Sequence, residues 1–118
     1  MTRLQRREPR SDAAGAENDI PVLSPHVDIF ESDKEVLIDA DFPGVAADAL
    51  SVQLEGLELK LDGRRDGEHP SRLRRTFHVP DTVDANGVEA ELRNGVLRVR
   101  LPKREEAMPR RIQVRAAE

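Results

Sequence analysis

The sequence predicts an all-β fold built as a sandwich of short strands. Apolar side chains recur at every second position through most of residues 25–102, which is the period of strands with one buried face. Turn-forming pairs such as Pro43-Gly44 and Asn94-Gly95 separate these runs. No stretch has the apolar spacing of a long helix. Many short strands with frequent turns are typical of two packed sheets.

The alternating runs define the strands in chain order. Val27 with Ile29 forms the first run, and the second extends from Val36 to Phe42. Pro43-Gly44 ends the second run, because proline cannot donate a hydrogen bond to a neighbouring strand. Single helical turns are expected at 45–49 and 81–86. The later runs are Leu50, Val52 and Leu54; Leu57, Leu59 and Leu61; Leu73, Phe77 and Val79; Val88, Ala90 and Leu92; and Leu97, Val99 and Leu101.

Asn94-Gly95 is the most specific local signal in the chain. A type I′ turn needs positive φ at both central residues, and Asn-Gly is the pair that best tolerates this. We therefore predict a hairpin between the last two strands. The polar stretch 62–72 contains Gly63, Gly67 and Pro70 and is predicted to be a surface loop.

The chain is expected to have one domain with two tails, as its 118 residues suggest. The parts are a flexible N-terminal arm (1–24), the β-sandwich (25–102) and a C-terminal extension (103–118). The arm has no strand or helix periodicity and no Phe, Trp or Tyr. In the extension, Ile112 and Val114 are two residues apart, so they share one side of an extended segment.

Composition excludes several classes of function. With no Cys there are no disulfides, thiolate zinc sites or cysteine nucleophiles. Charged residues make up 36% of the chain but the net charge is only -4, which argues against a nucleic-acid partner. No signal peptide and no membrane-spanning run is recognisable. We expect a cytoplasmic protein with no membrane partner.

No catalytic or metal site is predicted, and no cofactor. His26, His69 and His78 do not stand at metal-ligand spacing. Asp39 and Asp41 share a strand face, but polar residues on the wet side of a sheet explain them without acid–base chemistry. Because the chain also offers no nucleophile–base pair and no phosphate loop, it is not expected to be an enzyme.

The segment from Ala90 to Leu97, followed by Leu101-Pro-Lys103, resembles the sequence that closes the α-crystallin domain of small heat shock proteins. Asn94, Gly95, Val96 and Leu97 form its hairpin signature. Ile112-Gln113-Val114 resembles that family's C-terminal Ile-x-Ile/Val anchor. Three upstream fragments that fall in the expected order are Val27-Asp-Ile-Phe-Glu31, Ala40-Asp-Phe-Pro-Gly44 and Phe77-His-Val-Pro80, so the resemblance covers roughly residues 25–114.

The resemblance implies an immunoglobulin-like β-sandwich that dimerises, assembles further and acts as an ATP-independent holdase for unfolding proteins. Its partners would be other copies of the chain and unfolded clients. The anchor, Ile112 and Val114, would dock into an apolar groove between two edge strands of another subunit. The groove residues implied in this way are Val52, Leu54, Val88, Ala90 and Leu92.

Two departures from the family shape the expected assembly. Bacterial members carry an extra strand that swaps between subunits, and the eleven residues of 62–72 are too few for it. Pairing through the strand edge at 73–79 is the alternative. The arm lacks the aromatic residues that drive family assembly, so dimers or small, salt-sensitive assemblies are expected.

Three other interpretations stay open. The anchor could dock on its own chain's groove. The domain could be a CS-type interaction adaptor, which has the same sandwich without holdase activity and does not need Ile112 and Val114. The arginines between Arg64 and Arg75 could pair with the acidic stretch 28–41 across a subunit interface.

Overall fold

The computed structural model describes residues 20–117. Over that range the chain forms two four-stranded β-sheets, which confirms the predicted all-β sandwich. The strands are β1 (Val22–Leu23), β2 (Val27–Glu31), β3 (Glu35–Asp41), β4 (Leu50–Glu55), β5 (Glu58–Arg65), β6 (Ser71–His78), β7 (Glu89–Arg93) and β8 (Val96–Pro102).

The first sheet has the strand order β1-β6-β5-β4, and the second has the order β2-β3-β8-β7. Neighbouring strands are antiparallel, except that β1 runs parallel to β6. The chain crosses between the sheets three times, after β1, after β3 and after β6. A short 3-10 turn lies on each of the last two crossovers, at Ala47–Ala49 and at Ala85–Gly87, and overlaps one of the two predicted helical turns.

The inward-facing residues of both sheets form one core. On β3, Val36, Ile38 and Ala40 are buried and the residues between them are more exposed, which is the predicted alternation. Phe42 has no exposed surface and is the largest of the fully buried side chains. The buried apolar set is Val36, Ile38, Ala40, Phe42, Val45, Leu59, Leu61, Leu73, Val79, Val83, Leu97, Val99 and Leu101.

The predicted hairpin at Asn94-Gly95 is confirmed. Asn94 has a φ of 52° and Gly95 a φ of 79°, the two positive values that a type I′ turn requires. The turn also holds the end of β3, because the Phe42 N–H donates to the Gly95 carbonyl oxygen at 2.7 Å. Beyond the turn, Val96 faces outward and Leu97 enters the core.

The surface loop predicted for 62–72 is wrong at both ends. β5 continues through Arg65 and β6 begins at Ser71, so the loop is confined to residues 66–70. Gly63 is buried within β5, where a Cβ would lie 2.8 Å from the Phe42 ring. Ser71 is 4% exposed, and its hydroxyl oxygen accepts a hydrogen bond from Arg65 Nε at 3.1 Å. The prediction failed because the polar residues on the outward face of β5 and β6 have the same composition as a surface loop.

β1 lies before residue 25, where the sandwich was expected to begin. Val22 and Leu23 pair with Arg72 and Leu73 of β6, and the Arg72 N–H donates to the Pro21 carbonyl oxygen at 2.8 Å. Two residues are too few to show a period in the sequence. Residues 1–19, the rest of the predicted arm, and Glu118 lie outside the described residues.

Candidate functional site

An apolar hollow opens between the two sheets where the edge strands β4 and β7 face each other. Within residues 20–117, each of these strands has a sheet neighbour on one side only, β5 for β4 and β8 for β7. The hollow has a volume of about 170 Å³. Its lining is Ala47, Leu50, Val52, Ala90, Leu92 and Leu97.

The structure brings three of the five predicted groove residues, Val52, Ala90 and Leu92, around this hollow. The other two, Leu54 and Val88, are half-buried and pack against the core outside the hollow's lining. Leu50, a further lining residue, belongs to the same alternating run as Val52 and was recognisable in the sequence. Ala47 precedes β4 in a 3-10 turn, and no sequence pattern indicated it.

The hollow is open because β4 and β7 present inward-facing side chains at the edge of the sandwich. Ala90 pairs with Val99, whose side chain is fully buried, so Ala90 also points inward. Ala90 is nevertheless exposed, since no strand covers it on the side of β4. Leu97 is 2% exposed and closes the bottom of the hollow.

The anchor residues lie in the segment after β8 and are not docked on their own chain. Ile112 is 80% exposed and Val114 is 89% exposed. The segment 108–117 has no helix or strand, and it follows a 3-10 turn at Glu105–Ala107. Docking of the anchor on its own groove therefore does not occur in this structure.

A second open edge lies on the other side of the sandwich, along β6. β1 covers only Arg72 and Leu73, so the edge over 74–78 has no neighbouring strand within the described residues. Residues 66–70 join β5 directly to β6, and no additional strand lies between them. The edge predicted at 73–79 is therefore present but is two residues shorter.

Many of the arginines between Arg64 and Arg75 bind partners inside their own chain. Arg74 Nε and Nη2 donate to Asp62 at 3.1 and 3.0 Å. Arg75 Nη1 donates to the Pro25 carbonyl oxygen at 3.0 Å, and its guanidinium lies 4.9 Å from the centroid of the Phe77 ring. Because these guanidinium groups are engaged within their own chain, fewer of them are available to pair with the acidic stretch 28–41 of another subunit.

Three of the six acidic residues in the stretch 28–41 pair with Arg or Lys of the same chain. Arg98 Nε and Nη2 donate to the Asp39 carboxylate at 2.8 and 2.9 Å. These hydrogen bonds lower the pKa of Asp39 and raise the pKa of Arg98. Glu35 lies 3.2 Å from Arg100, and Glu31 lies 2.9 Å from Lys103. Asp39 therefore serves the sheet as half of an ion pair and not as an acid or base.

In the part of the chain that the structure describes, no three His, Asp or Glu side chains gather as a metal site would require. His26 lies 3.4 Å from Asp28 on the surface, where both are well exposed. No helix among residues 20–117 is long and apolar enough to cross a membrane.

Comparison with known proteins places the chain in a family. The family model "Hsp20/alpha crystallin family" matches residues 28–115. The chain belongs to the small heat shock protein family. Small heat shock proteins are chaperones without enzymatic activity, which confirms both the resemblance and the expectation that the chain is not an enzyme.

Individual small heat shock proteins and their relatives agree with this assignment. Spore protein SP21 from Stigmatella aurantiaca is 34% identical over 107 residues, which cover 80% of this chain and 63% of SP21. HspA from Xanthomonas axonopodis has a TM-score of 0.63 and 34% identity, over 69% of this chain and 94% of that one. A small heat-shock protein from Xylella fastidiosa, whose structure shows "a distinct high order structure", has a TM-score of 0.65 and 33% identity, over 78% of this chain and 96% of that one. The chain thus spans less than two thirds of the length of SP21.

Proposed function

We propose that this small heat shock protein is an ATP-independent holdase that binds unfolding proteins in the cytoplasm and prevents their aggregation. The observation that carries the proposal is the pairing of an open apolar hollow with an apolar anchor left exposed by the same chain. Its partners are other copies of itself and unfolded clients, with no nucleic acid or membrane. A CS-type adaptor would not need the anchor.

The anchor of one copy docks in the β4–β7 hollow of another. Ile112 lies ten residues after Pro102, where β8 ends, so the tail reaches at most about 35 Å from the end of β8. Burying Ile112 and Val114 contributes roughly 1.5–3 kcal/mol each at most, before the cost of ordering the tail. One docked anchor releases readily, and several in one assembly hold by effective concentration.

Weak docking is what a holdase without nucleotide chemistry needs. When an anchor leaves, Val52, Ala90 and Leu92 become available to an extended apolar segment of a client. Heating populates such segments in clients by unfolding them. Capture then depends on competition between anchors and client segments for the same hollow, and no energy source is required.

Client aggregation tests the holdase proposal. We expect the chain to lower the light scattering of heated citrate synthase at an equal ratio of subunits, without ATP, while serum albumin at the same mass does not. Unchanged scattering at several-fold excess of the chain would contradict the proposal and favour the adaptor.

Particle mass tests anchor docking separately. We expect Ile112→Ala with Val114→Ala to shift the assembly toward dimer in multi-angle light scattering, with an unchanged far-UV circular dichroism spectrum. Gln113→Ala, which leaves both anchor residues in place, is the matched control. Equal masses for the parent and the double variant would show that the anchor has no role in assembly.

Dimers form through the open edge of β6. Two copies related by a two-fold axis can pair residues 74–78 in an antiparallel arrangement centred on Thr76, which uses the whole open edge and avoids β1. Arg75 of one copy then faces Phe77 of the other. Opposed residues in such a ladder have Cα atoms 4.5–5.5 Å apart, a separation that a disulfide can bridge.

Cysteine cross-linking tests this dimer, because the chain has no cysteine of its own. We expect Thr76→Cys to form a disulfide-linked dimer rapidly under mild oxidation. Gln53→Cys, on the outward face of β4, is the control. Cross-linking of Thr76→Cys no faster than of Gln53→Cys would exclude the Thr76-centred dimer.

A further inference from the structure

Glu89 carries a charge at the open edge of β7 that no residue among 20–117 pairs with. It pairs with Arg100 in the β-ladder, so both side chains lie on the outward face of the sheet. Arg100, however, forms its ion pair with Glu35 on β3, at 3.2 Å. Among residues 20–117, the Glu89 carboxylate has no ion-pair or hydrogen-bond partner.

The tail carries arginines that alternate with the anchor residues. Ile112 and Val114 share one side of an extended segment, and Arg111, Gln113 and Arg115 share the other. Within the described range, Arg111 and Arg115 also have no ion-pair partner. If the anchor side of the tail enters the hollow, both arginines come to the outward face of the sheet.

Of the two strands that border the hollow, β7 carries charge opposite to that of the tail arginines. The outward-facing residues of β7 next to the hollow are Glu89, Glu91 and Arg93, and Glu91 pairs with Arg93 at 3.2 Å, which leaves the charge of Glu89; those of β4 beside Val52 are the uncharged Ser51 and Gln53. β7 also has an unpaired backbone edge to which an extended segment can add as a new strand. Charge complementarity therefore favours a tail laid along β7.

We propose that Glu89 is the ion-pair acceptor for one tail arginine of another copy, an inference that rests on the anchor docking proposed above. Ala90 and Leu92 line the hollow, so Ile112 and Val114 lie opposite them. In a parallel arrangement Ile112 faces Ala90, and Arg111 falls opposite Glu89. In an antiparallel arrangement Val114 faces Ala90, and Arg115 falls opposite Glu89.

The two arrangements share their remaining contacts. In both, Gln113 lies opposite Glu91, and the second arginine lies opposite Arg93. One tail arginine is thus attracted and the other is repelled, so the two arginines do not contribute equally. Which arginine pairs with Glu89 reports the direction of the docked tail.

The ion pair between Glu89 and a tail arginine has a small effect on the docking of one tail and a larger effect on a particle that contains several docked tails. An exposed ion pair changes a docking equilibrium by roughly 1.5- to 5-fold. Several tails docked in one particle multiply this factor, and salt screens it. Loss of the pair therefore appears as a lower particle mass at low ionic strength and a smaller dependence of that mass on salt.

Charge reversal with rescue tests the proposal in the full chain. We expect Glu89→Lys to lower the particle mass measured by multi-angle light scattering at low salt. Glu68→Lys makes the same change of charge in the loop 66–70, away from the hollow, and is expected to leave the mass unchanged. Adding either tail reversal, Arg111→Glu or Arg115→Glu, to Glu89→Lys is expected to restore the parent mass, because one reversal faces the new lysine and the other faces Arg93. The direction is read from single neutral variants of the parent: loss of the arginine opposite Glu89 lowers the mass, which is Arg111→Gln if the tail is parallel to β7 and Arg115→Gln if it is antiparallel.

Two results would overturn the proposal. One is equal behaviour of Glu89→Lys and Glu68→Lys, and the other is failure of both tail reversals to restore the mass. The variant with Ile112→Ala and Val114→Ala, measured alongside, separates the causes. If that variant dissociates and Glu89→Lys does not, anchor docking stands and the role of Glu89 is refuted. If that variant keeps the parent mass, docking itself is refuted.

Discussion

Replacing Gly63 with alanine is expected to destabilise the sandwich, although the residue looks like a loop glycine in the sequence. A Cβ at this position would lie 2.8 and 3.0 Å from two carbons of the Phe42 ring and 3.1 Å from Val45 Cγ1. All three contacts are shorter than van der Waals contact, and both neighbours belong to the buried core. Such overpacking costs about 1–3 kcal/mol. In a domain of this size, each kcal/mol lowers the Tm by roughly 4–8 °C.

The assay is urea unfolding followed by far-UV circular dichroism, since the chain has no Trp. All variants are compared at one subunit concentration, because assembly stabilises the folded state by mass action. In a double-mutant cycle, Phe42→Leu removes part of the ring and should reduce the cost of Gly63→Ala. A Gly63→Ala variant as stable as the parent would refute the close packing of β5 against Phe42.

Three further outcomes are expected. Gly95→Ala should destabilise the β7–β8 hairpin by about 1–2 kcal/mol in the same urea assay, because an L-residue is strained at the φ of 79°; an unchanged midpoint would contradict the type I′ turn. Leu61→Ala should cost roughly 2–5 kcal/mol, because this side chain is 0% exposed in the core, and a loss below 1 kcal/mol would refute that burial. Asp39 has a pKa below its ordinary 3.8, so its pairing with Arg98 stabilises the fold above that pH and is lost as the pH falls through the lowered pKa. Asp39→Asn should therefore show a smaller loss of stability between pH 6 and pH 3 than the parent, and equal losses would contradict the ion pair.

Much of the fold could be predicted because strands with one buried face have alternating apolar and polar residues in the sequence. Ile38 and Val99 alternate with charged residues such as Asp39 and Arg98, and these positions pair across β3 and β8. Asn94-Gly95 was equally informative, since few other residue pairs adopt two positive φ values. These signals are local and need no knowledge of the partner strand.

The failures of prediction have physical causes in tertiary context. The sequence predicts a loop at Gly63 because nothing local shows that Phe42 occupies the space beside it. Asp62 falls in the predicted loop, although it forms a cross-strand pair with Arg74 on the outward face of β5 and β6. The sequence does not predict β1, because its two residues show no period of their own and become a strand only by pairing with β6.

The groove was only partly predictable for a related reason. The period of β4 and β7 shows which side chains share a face, but the face continues from the core to the open edge. Val52 and Ala90 line the hollow, whereas Leu54 and Val88 point to the same side and pack against the core. This division depends on which residues of the facing sheet lie opposite each side chain, and residue spacing along one strand does not encode it.

The most direct test of the central claim is whether the β4–β7 hollow binds an extended apolar segment. A synthetic peptide of residues 109–117 would be titrated into the full chain carrying Ile112→Ala and Val114→Ala, and the backbone amide signals followed by NMR. The expected result is a progressive shift of the signals of Val52, Ala90 and Leu92, and no shift when the peptide carries the same two alanines. Shifts confined to β2 or β6, or equal shifts with both peptides, would contradict the claim that this hollow is the binding site.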